Sequence, residues 1–170
     1  MPISNKKGSH KITIRPLKTE EISILKDFLY YAIFQREGAE LLPKSIIEEP
    51  DLAVYIKDFG NYKDDYCLVD EEGGQIVGAC WVRIINGFGS VDGDTPEFAI
   101  SVRPENRNKG IGTLLMRAML KYLQAQNIYQ KTSLAVQKDN YALRMYQKVG
   151  FTIIDENEEE FIMIHELKKA

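Results

Sequence analysis

The chain has 170 residues with a formal net charge of −3, enough for one domain with a sizeable core. Hydrophobic residues make up 44% and charged residues 28%, which speaks against disorder. The mild acidity argues against a nucleic-acid partner, since a surface that grips phosphates non-specifically is usually basic.

Residues 1–10, "MPISNKKGSH", have no apolar centre like that of a signal peptide. They are expected to be a flexible lead-in to a domain spanning 11–168. No apolar run approaches the roughly 20 residues that cross a bilayer, so no membrane partner is expected and the cytoplasm is the default location. "KITIRPL" (11–17) alternates Ile12 and Ile14 with polar residues, the pattern of a half-buried strand. Pro16 ends it, and Thr19 is placed to cap a helix whose apolar face carries Ile22, Leu25, Leu29, Ala32 and Ile33. Residues 38–60 are punctuated by Gly38, Pro43, Pro50 and Gly60 and read as a broken helical region with "DLAVYIKDF" as its best turns.

"DYCLVDEEGGQIVGACWVRIING" (65–87) reads as a hairpin, two β-rich runs around "DEEGG". Its cysteines, Cys67 and Cys80, sit among apolar neighbours and are expected to be buried and reduced. Neither they nor His10 and His165, both expected on the surface, have metal-ligand spacing, so no metal is expected. A loop (87–96) leads to the strand "EFAISV" (97–102). Beyond it Ile111, Leu114, Leu115, Ala118, Met119 and Tyr122 recur with helical spacing, and Asn127 suits a left-handed stop. "TSLAV" (132–136) reads as a buried strand. "NYALRMYQKVGF" (140–151) reads as a short helix with Asn140 as its cap and Gly150-Phe151 as a Schellman stop. A last hairpin surrounds the acidic turn "ENEEE". The order is β α α β β β α β α β β, a mixed α/β single domain with a right-handed parallel unit over 97–136.

Two glycines, Gly110 and Gly112, stand where the long helix must start, although glycine weakens helices. A helix N-terminus offers free N–H groups and a positive dipole end, and glycine lets a phosphate approach the backbone. "RNKGIGT" (107–113) therefore reads as a phosphate cradle with Arg107 and Lys109 as a charged rim. It is neither a P-loop, which needs G-x-x-x-x-G-K-[ST], nor a dinucleotide fingerprint, because Leu115 occupies the third glycine position.

The pattern that remains, [RQ]-x-x-G-x-[GA] between strand and helix, resembles the acetyl-CoA signature of the GNAT superfamily of N-acetyltransferases. "EFAISVRPENRNKGIGTLLM" is similar to that family's strand–loop–helix. "LAVQKDNYALRMYQKVGF" is similar to its second signature, and "ITIRPL" to its first strand. The resemblance implies a mixed central sheet with a splayed parallel strand pair, flanked by helices. It implies acetyl-CoA as co-substrate, with its pyrophosphate on the backbone of Arg107, Asn108, Lys109, Gly110, Ile111, Gly112 and Thr113. The pantetheine arm would lie on the backbone of Ile100 and Val102, where an N–H would polarise the thioester carbonyl.

The resemblance further makes Tyr146 the general acid for the departing thiolate; a packed aromatic explains the same position. Asn140 matches a residue touching the cofactor arm, or is simply a helix cap. Glu97 matches a carboxylate that takes the amine proton, directly or through water; the other readings are an exposed strand-start carboxylate, or one that only binds a cationic substrate. Tyr30, Phe34, Trp81 and Arg83 are candidates for the acceptor pocket, with core packing as the competing account of the aromatics. The implied function is acetyl transfer to a primary amine, on a small molecule or a protein, by direct attack in a ternary complex. A non-catalytic acyl-CoA-binding sensor and a homodimer whose interface completes the acceptor site are the other readings.

Overall fold

One eight-stranded sheet, in the order β1-β2-β3-β4-β5-β6-β8-β7, divides the computed structural model into two packed faces. The structure describes the backbone of residues 3–7 and 10–167, and side chains from Lys11 to Leu167. The strands are β1 (Ile3–Lys7), β2 (His10–Pro16), β3 (Tyr66–Glu72), β4 (Gln75–Arg83), β5 (Glu97–Val102), β6 (Lys131–Gln137), β7 (Thr152–Glu156) and β8 (Glu160–Glu166). The helices are α1 (Leu25–Ala32), α2 (Pro50–Ala53), α3 (Ile111–Gln126) and α4 (Ala142–Val149).

Most expected elements form where the sequence places them, and the differences have local causes. Residues 3–7, expected in a flexible lead-in, pair antiparallel with β2 as an edge strand; the remainder of that lead-in and the His10 side chain lie outside the described residues. The turn before α1 is a 3-10 helix over Thr19–Ile24, entered at Lys18 rather than capped by Thr19. Glu21 supplies the cap, accepting the Lys18 N–H at 2.8 Å while Arg15 grips its carboxylate. The 38–60 region does break: a 3-10 helix over Lys44–Glu48, the single turn of α2, then irregular turns. His165, expected at the surface, is half-buried, its ring packed against Phe151 and its Nε2 3.1 Å from the Val149 carbonyl.

Helices α3 and α4 cover one face, α1 and α2 the other. The buried side of α3 carries Ile111, Leu115 and Met119, as the spacing predicts. It is rotated toward Met116, Leu120 and Leu123, and leaves Leu114, Ala118 and Tyr122 half-buried. Each such fully buried side chain contributes about 1.5–3 kcal/mol relative to exposure. On the other face Trp81, Phe28 and Leu25 are closed off from solvent. Cys67 and Cys80 are buried free thiols. Asn127 ends α3 in the left-handed region, φ 57°. Helix α4 ends in a Schellman motif: the Phe151 N–H donates to the Tyr146 carbonyl and the Gly150 N–H to that of Gln147.

The feature that positions the site is a gap in the sheet. β4 and β5 pair along the whole of β5. β5 and β6 run parallel and share a single register pair, Glu97 with Ser133. β6 then pairs with β8 over its full length, so beyond Glu97 the sheet opens into a cleft.

Candidate active site

The Arg103 N–H donates to the Val77 carbonyl at 2.8 Å, which fixes the phase of the β4–β5 ladder. In an antiparallel pair, hydrogen-bonded and non-bonded positions alternate. Residues 97, 99 and 101 therefore bond to β4, and the N–H and C=O groups of Ile100 and Val102 point the other way, toward the edge that β6 has vacated. The Val102 carbonyl is taken by Arg107 Nε at 3.2 Å. The N–H groups of both residues and the Ile100 carbonyl are left facing the cleft.

That edge runs into a groove of about 720 Å³ lined by Ile100, Val102, Asn108, Gly110, Gly112 and Thr113. The turn that shapes its far end follows Pro104–Asn106, a 3-10 turn. Asn108 (φ 64°) and Gly110 (φ 82°) are both left-handed; glycine takes that conformation without the penalty other residues meet. The first helical bond runs from the Leu114 N–H to the Gly110 carbonyl, so the N–H groups of Ile111, Gly112 and Thr113 have no helical partner. They form the positive mouth of a 16-residue helix. Gly112 is not strained: a Cβ there would meet only Met145 Sδ at 3.3 Å. Room for a ligand is thus what the second glycine supplies.

The charged rim is different from the one expected. Arg107 lines the groove as expected, its guanidinium held there by the carbonyls of Val102 and Tyr31, each at 3.2 Å, with its charge and remaining N–H groups unneutralised by them. Lys109 does not line it. The cradle's attraction for anions therefore rests on backbone N–H groups together with the Arg107 charge.

A second cavity, of about 360 Å³, fills the splay itself. Ile100, Asn140, Tyr146, Ile33 and Phe34 line both spaces, so groove and cavity meet there. Tyr146, on the inner side of α4, is only part-exposed, and burial raises its phenol above the ordinary tyrosine range. The Asn140 side chain caps α4 by accepting the Ala142 N–H at 2.9 Å. Phe34 lines the cavity as expected; Tyr30 lines the groove instead, its hydroxyl donating to the Leu42 carbonyl.

Glu97 lines the cavity and is 2% exposed. Burial raises its carboxyl above the ordinary range; bonds from the Tyr55 hydroxyl, the Gly89 N–H and the Ser90 hydroxyl oppose that shift, and the Glu160 charge adds to it.

Trp81 and Arg83, expected in the pocket, do not line it. Trp81 is fully buried and its indole N–H donates to the Tyr55 carbonyl at 3.0 Å. Arg83 pairs through two bonds with Asp65, and its Nη1 donates to the carbonyls of Val54 (3.0 Å) and Lys57 (2.8 Å). Both residues lie beneath the 54–57 segment and hold Tyr55 over the cavity. Tyr55 itself was not singled out from sequence; it sits in a stretch whose only signal was broken helicity. Ser90, Glu159 and Glu160 were missed in the same way. No group of His, Cys, Asp and Glu among the described residues could hold a metal ion, and no helix among them is long and apolar enough to cross a membrane.

The fold is that of a large set of solved acetyltransferases. A GNAT-family acetyltransferase from Streptococcus pneumoniae superposes with a TM-score of 0.67 at 18% identity, covering 92% of this chain and 99% of that one. An N-acetyltransferase from Thermoplasma acidophilum, solved in complex with coenzyme A, gives 0.65 at 23% identity over 91% and 98%.

Residues 30–151, well over half of the chain, match the Acetyltransferase (GNAT) family, and the chain belongs to that family. Among curated relatives, the mycothiol acetyltransferase of Thermobispora bispora is 30% identical over 83 residues, 48% of this chain. This chain spans only 28% of that protein's length. The spermidine N(1)-acetyltransferase of Escherichia coli is 26% identical over 165 residues, 96% of this chain and 84% of that protein.

Proposed function

We propose that the protein is an acetyl-CoA-dependent N-acetyltransferase, carried by one domain whose expected span of 11–168 is extended at the sheet edge by the 3–7 strand, acting on a small primary amine by direct attack in a ternary complex. The observation that carries this reading is the junction: a backbone-lined groove ending in an anion cradle opens, at Ile100, Asn140 and Tyr146, into a cavity holding a buried carboxylate. The name of the E. coli relative, a spermidine acetyltransferase, supports an amine as acceptor.

The residues present fit acetyl-CoA. The N–H groups at 111–113 suit a pyrophosphate, and the open edge at Ile100 and Val102 suits the amide-bearing pantetheine arm. When bound, the co-substrate supplies an activated acetyl group as a thioester. The remaining work falls to the chain. Glu97 takes a proton from the acceptor amine in the cavity. A free N–H on the β5 edge, near Val102, stabilises the carbonyl oxygen as negative charge develops. Tyr146, kept protonated by burial, gives its proton to the departing sulfur; the dry surroundings that raise the phenol also raise the proton affinity of the developing thiolate, which favours that exchange.

The test is to incubate the purified protein with acetyl-CoA and a panel of amines, spermidine included, while following free thiol. Thiol release that depends on an amine is the expected result. Tight CoA binding with no release from any amine overturns the enzyme reading in favour of an acyl-CoA sensor. Tyr146→Phe should lower kcat by about 100-fold or more and leave the Kd for CoA nearly unchanged. Equal losses in both would make Tyr146 a binding residue instead.

A further inference from the structure

The two oxygens of Glu97 are not equivalent. Oε2 accepts from the Tyr55 hydroxyl and from the Gly89 N–H, the latter at 3.1 Å. Oε1 lies 3.1 Å from the Ser90 hydroxyl. That hydroxyl has one proton to give and is closer to the Ile85 carbonyl, at 2.6 Å. The shorter distance favours Ile85 for the Ser90 proton, so Oε1 takes at most this one longer bond and keeps a lone pair free.

Both donors to Oε2 are held from elsewhere. The Phe88 N–H donates to the Tyr55 hydroxyl oxygen at 2.9 Å, which leaves the single phenol proton for Glu97. The Tyr55 backbone is tied down by Trp81, and its neighbours Val54 and Lys57 by Arg83. Gly89 is seated so close to β6 that a Cβ on it would stand 2.6 Å from the Ala135 nitrogen; only glycine lets its N–H reach the carboxylate.

We propose that Tyr55 is a positioning residue for acyl transfer: with the Gly89 N–H it clamps Oε2 of Glu97 and leaves Oε1 as the oxygen that takes the acceptor's proton. The proposal rests on the reading of Glu97 as the base. In the step, an N–H bond of the acceptor ammonium breaks and its electron pair stays on nitrogen. An O–H bond forms at Oε1, and Tyr55 keeps its own proton. The phenol can serve as a constant donor because burial, and then the adjacent Glu97 charge, hold it above its usual range.

The other ionisable groups around the cavity are few. Glu159 and Glu160 stand at the start of β8, and Tyr146 on α4. Arg83 lies across the ladder from Glu97 but turns its guanidinium to Asp65. Among the described residues no Lys, Arg or His lines the cavity. The Tyr55 bond is therefore a main influence keeping Glu97 ionised against burial.

The test follows Glu97 in the free protein by difference infrared spectroscopy, its band assigned by loss in Glu97→Gln. A bond of this kind to a charged group corresponds to a midpoint shift of about one pH unit or more. Tyr55→Phe should raise the Glu97 midpoint by that amount, and the acidic limb of kcat/KM should move up with it. An unmoved or lowered midpoint overturns the proposal. A second measurement needs no variant: in wild-type protein with ring-labelled tyrosine, a phenol C–O band should shift as Glu97 ionises, and a band that stays fixed also overturns it. Glu97→Gln in the thiol-release assay separates the two readings. Undiminished turnover there removes Glu97 as base and this proposal with it. Lost turnover together with an unmoved Tyr55→Phe midpoint removes the Tyr55 proposal alone.

Discussion

The groove and the cavity meet at Tyr146, yet they are built in opposite ways. The groove is built around one stretch of chain, the free edge of β5, the turn through Gly110 and the first turn of α3, with the end of α1 and α4 closing its sides. The polar groups at its floor and far end are backbone N–H and C=O. The cavity draws on the end of α1, the segment after α2, the 87–90 loop, β5, β6 and the start of β8. Its polar groups are side chains. A site made of backbone can be written in a short local pattern, because strand phase and helix start place the atoms. A site made of side chains needs several segments to be clamped together first.

Removing the clamp on the cavity side should have the largest effect. Arg83 and Asp65 are 3% and 1% exposed, so Arg83→Ala strands a buried carboxylate. The expected loss is about 3–5 kcal/mol of unfolding free energy, read by urea denaturation. Below its melting temperature the variant should lose turnover while still binding CoA. A stability equal to wild type would mean that the 54–57 segment is held by other contacts.

Next comes the groove. Gly112→Asp places a carboxylate among the N–H groups at 111–113 while its Cβ meets only the movable Met145 side chain. CoA affinity, measured by calorimetry, should fall about 100-fold, near 2.7 kcal/mol, with the melting temperature little changed. Unchanged affinity would mean that the cradle does not hold phosphate.

The smallest effect on the site is expected from Asp70, which lies outside both spaces on β3 and tests whether they are independent of that side of the sheet. Asp70, fully buried on β3, accepts the Thr13 N–H at 2.8 Å. Burial, and then a hydrogen bond shared with Glu72, push its carboxyl up to about 8 from an ordinary 3.8. The folded pair therefore binds a proton that the unfolded chain releases. The stability it confers is complete below about pH 4 and lost as pH rises toward 8, with a slope of at most about 1.4 kcal/mol per pH unit. Asp70→Asn should flatten that part of the stability–pH curve, as followed by denaturation from pH 4 to 9. It should leave CoA affinity unchanged. An equal slope in both proteins would show that Asp70 titrates normally in the fold.

How much was legible in the sequence follows the same division. The turn from β5 into α3, the left-handed Asn127 and the Schellman end of α4 follow from short-range rules of backbone geometry, whereas the open β5 edge at Ile100 and Val102 is implied only by the family resemblance. Trp81 and Arg83 were misplaced because alternation along β4 says which side of the strand a residue takes, not what covers that side. The covering turned out to be the 54–57 segment, so both side chains were used to hold Tyr55 rather than to line the cavity. Arg107 does reach the groove, while Lys109, two residues on, does not line it, a difference in side-chain direction that the basic spacing alone leaves open.

The sequence by itself determined the element order from β2 onward, the anion cradle and the family resemblance, because each depends on residues within one or two turns of one another. It also placed Glu97 and Tyr146 on a strand start and an inner helix face. Only the tertiary structure decided that β6 leaves β5 after one register pair, that Tyr55 and Gly89 reach one oxygen of Glu97, and that Arg83 braces the cavity from below. Those outcomes join residues from 8 to 42 positions apart. They were settled by which buried hydrogen-bond donors could find acceptors once the two faces of the sheet were packed.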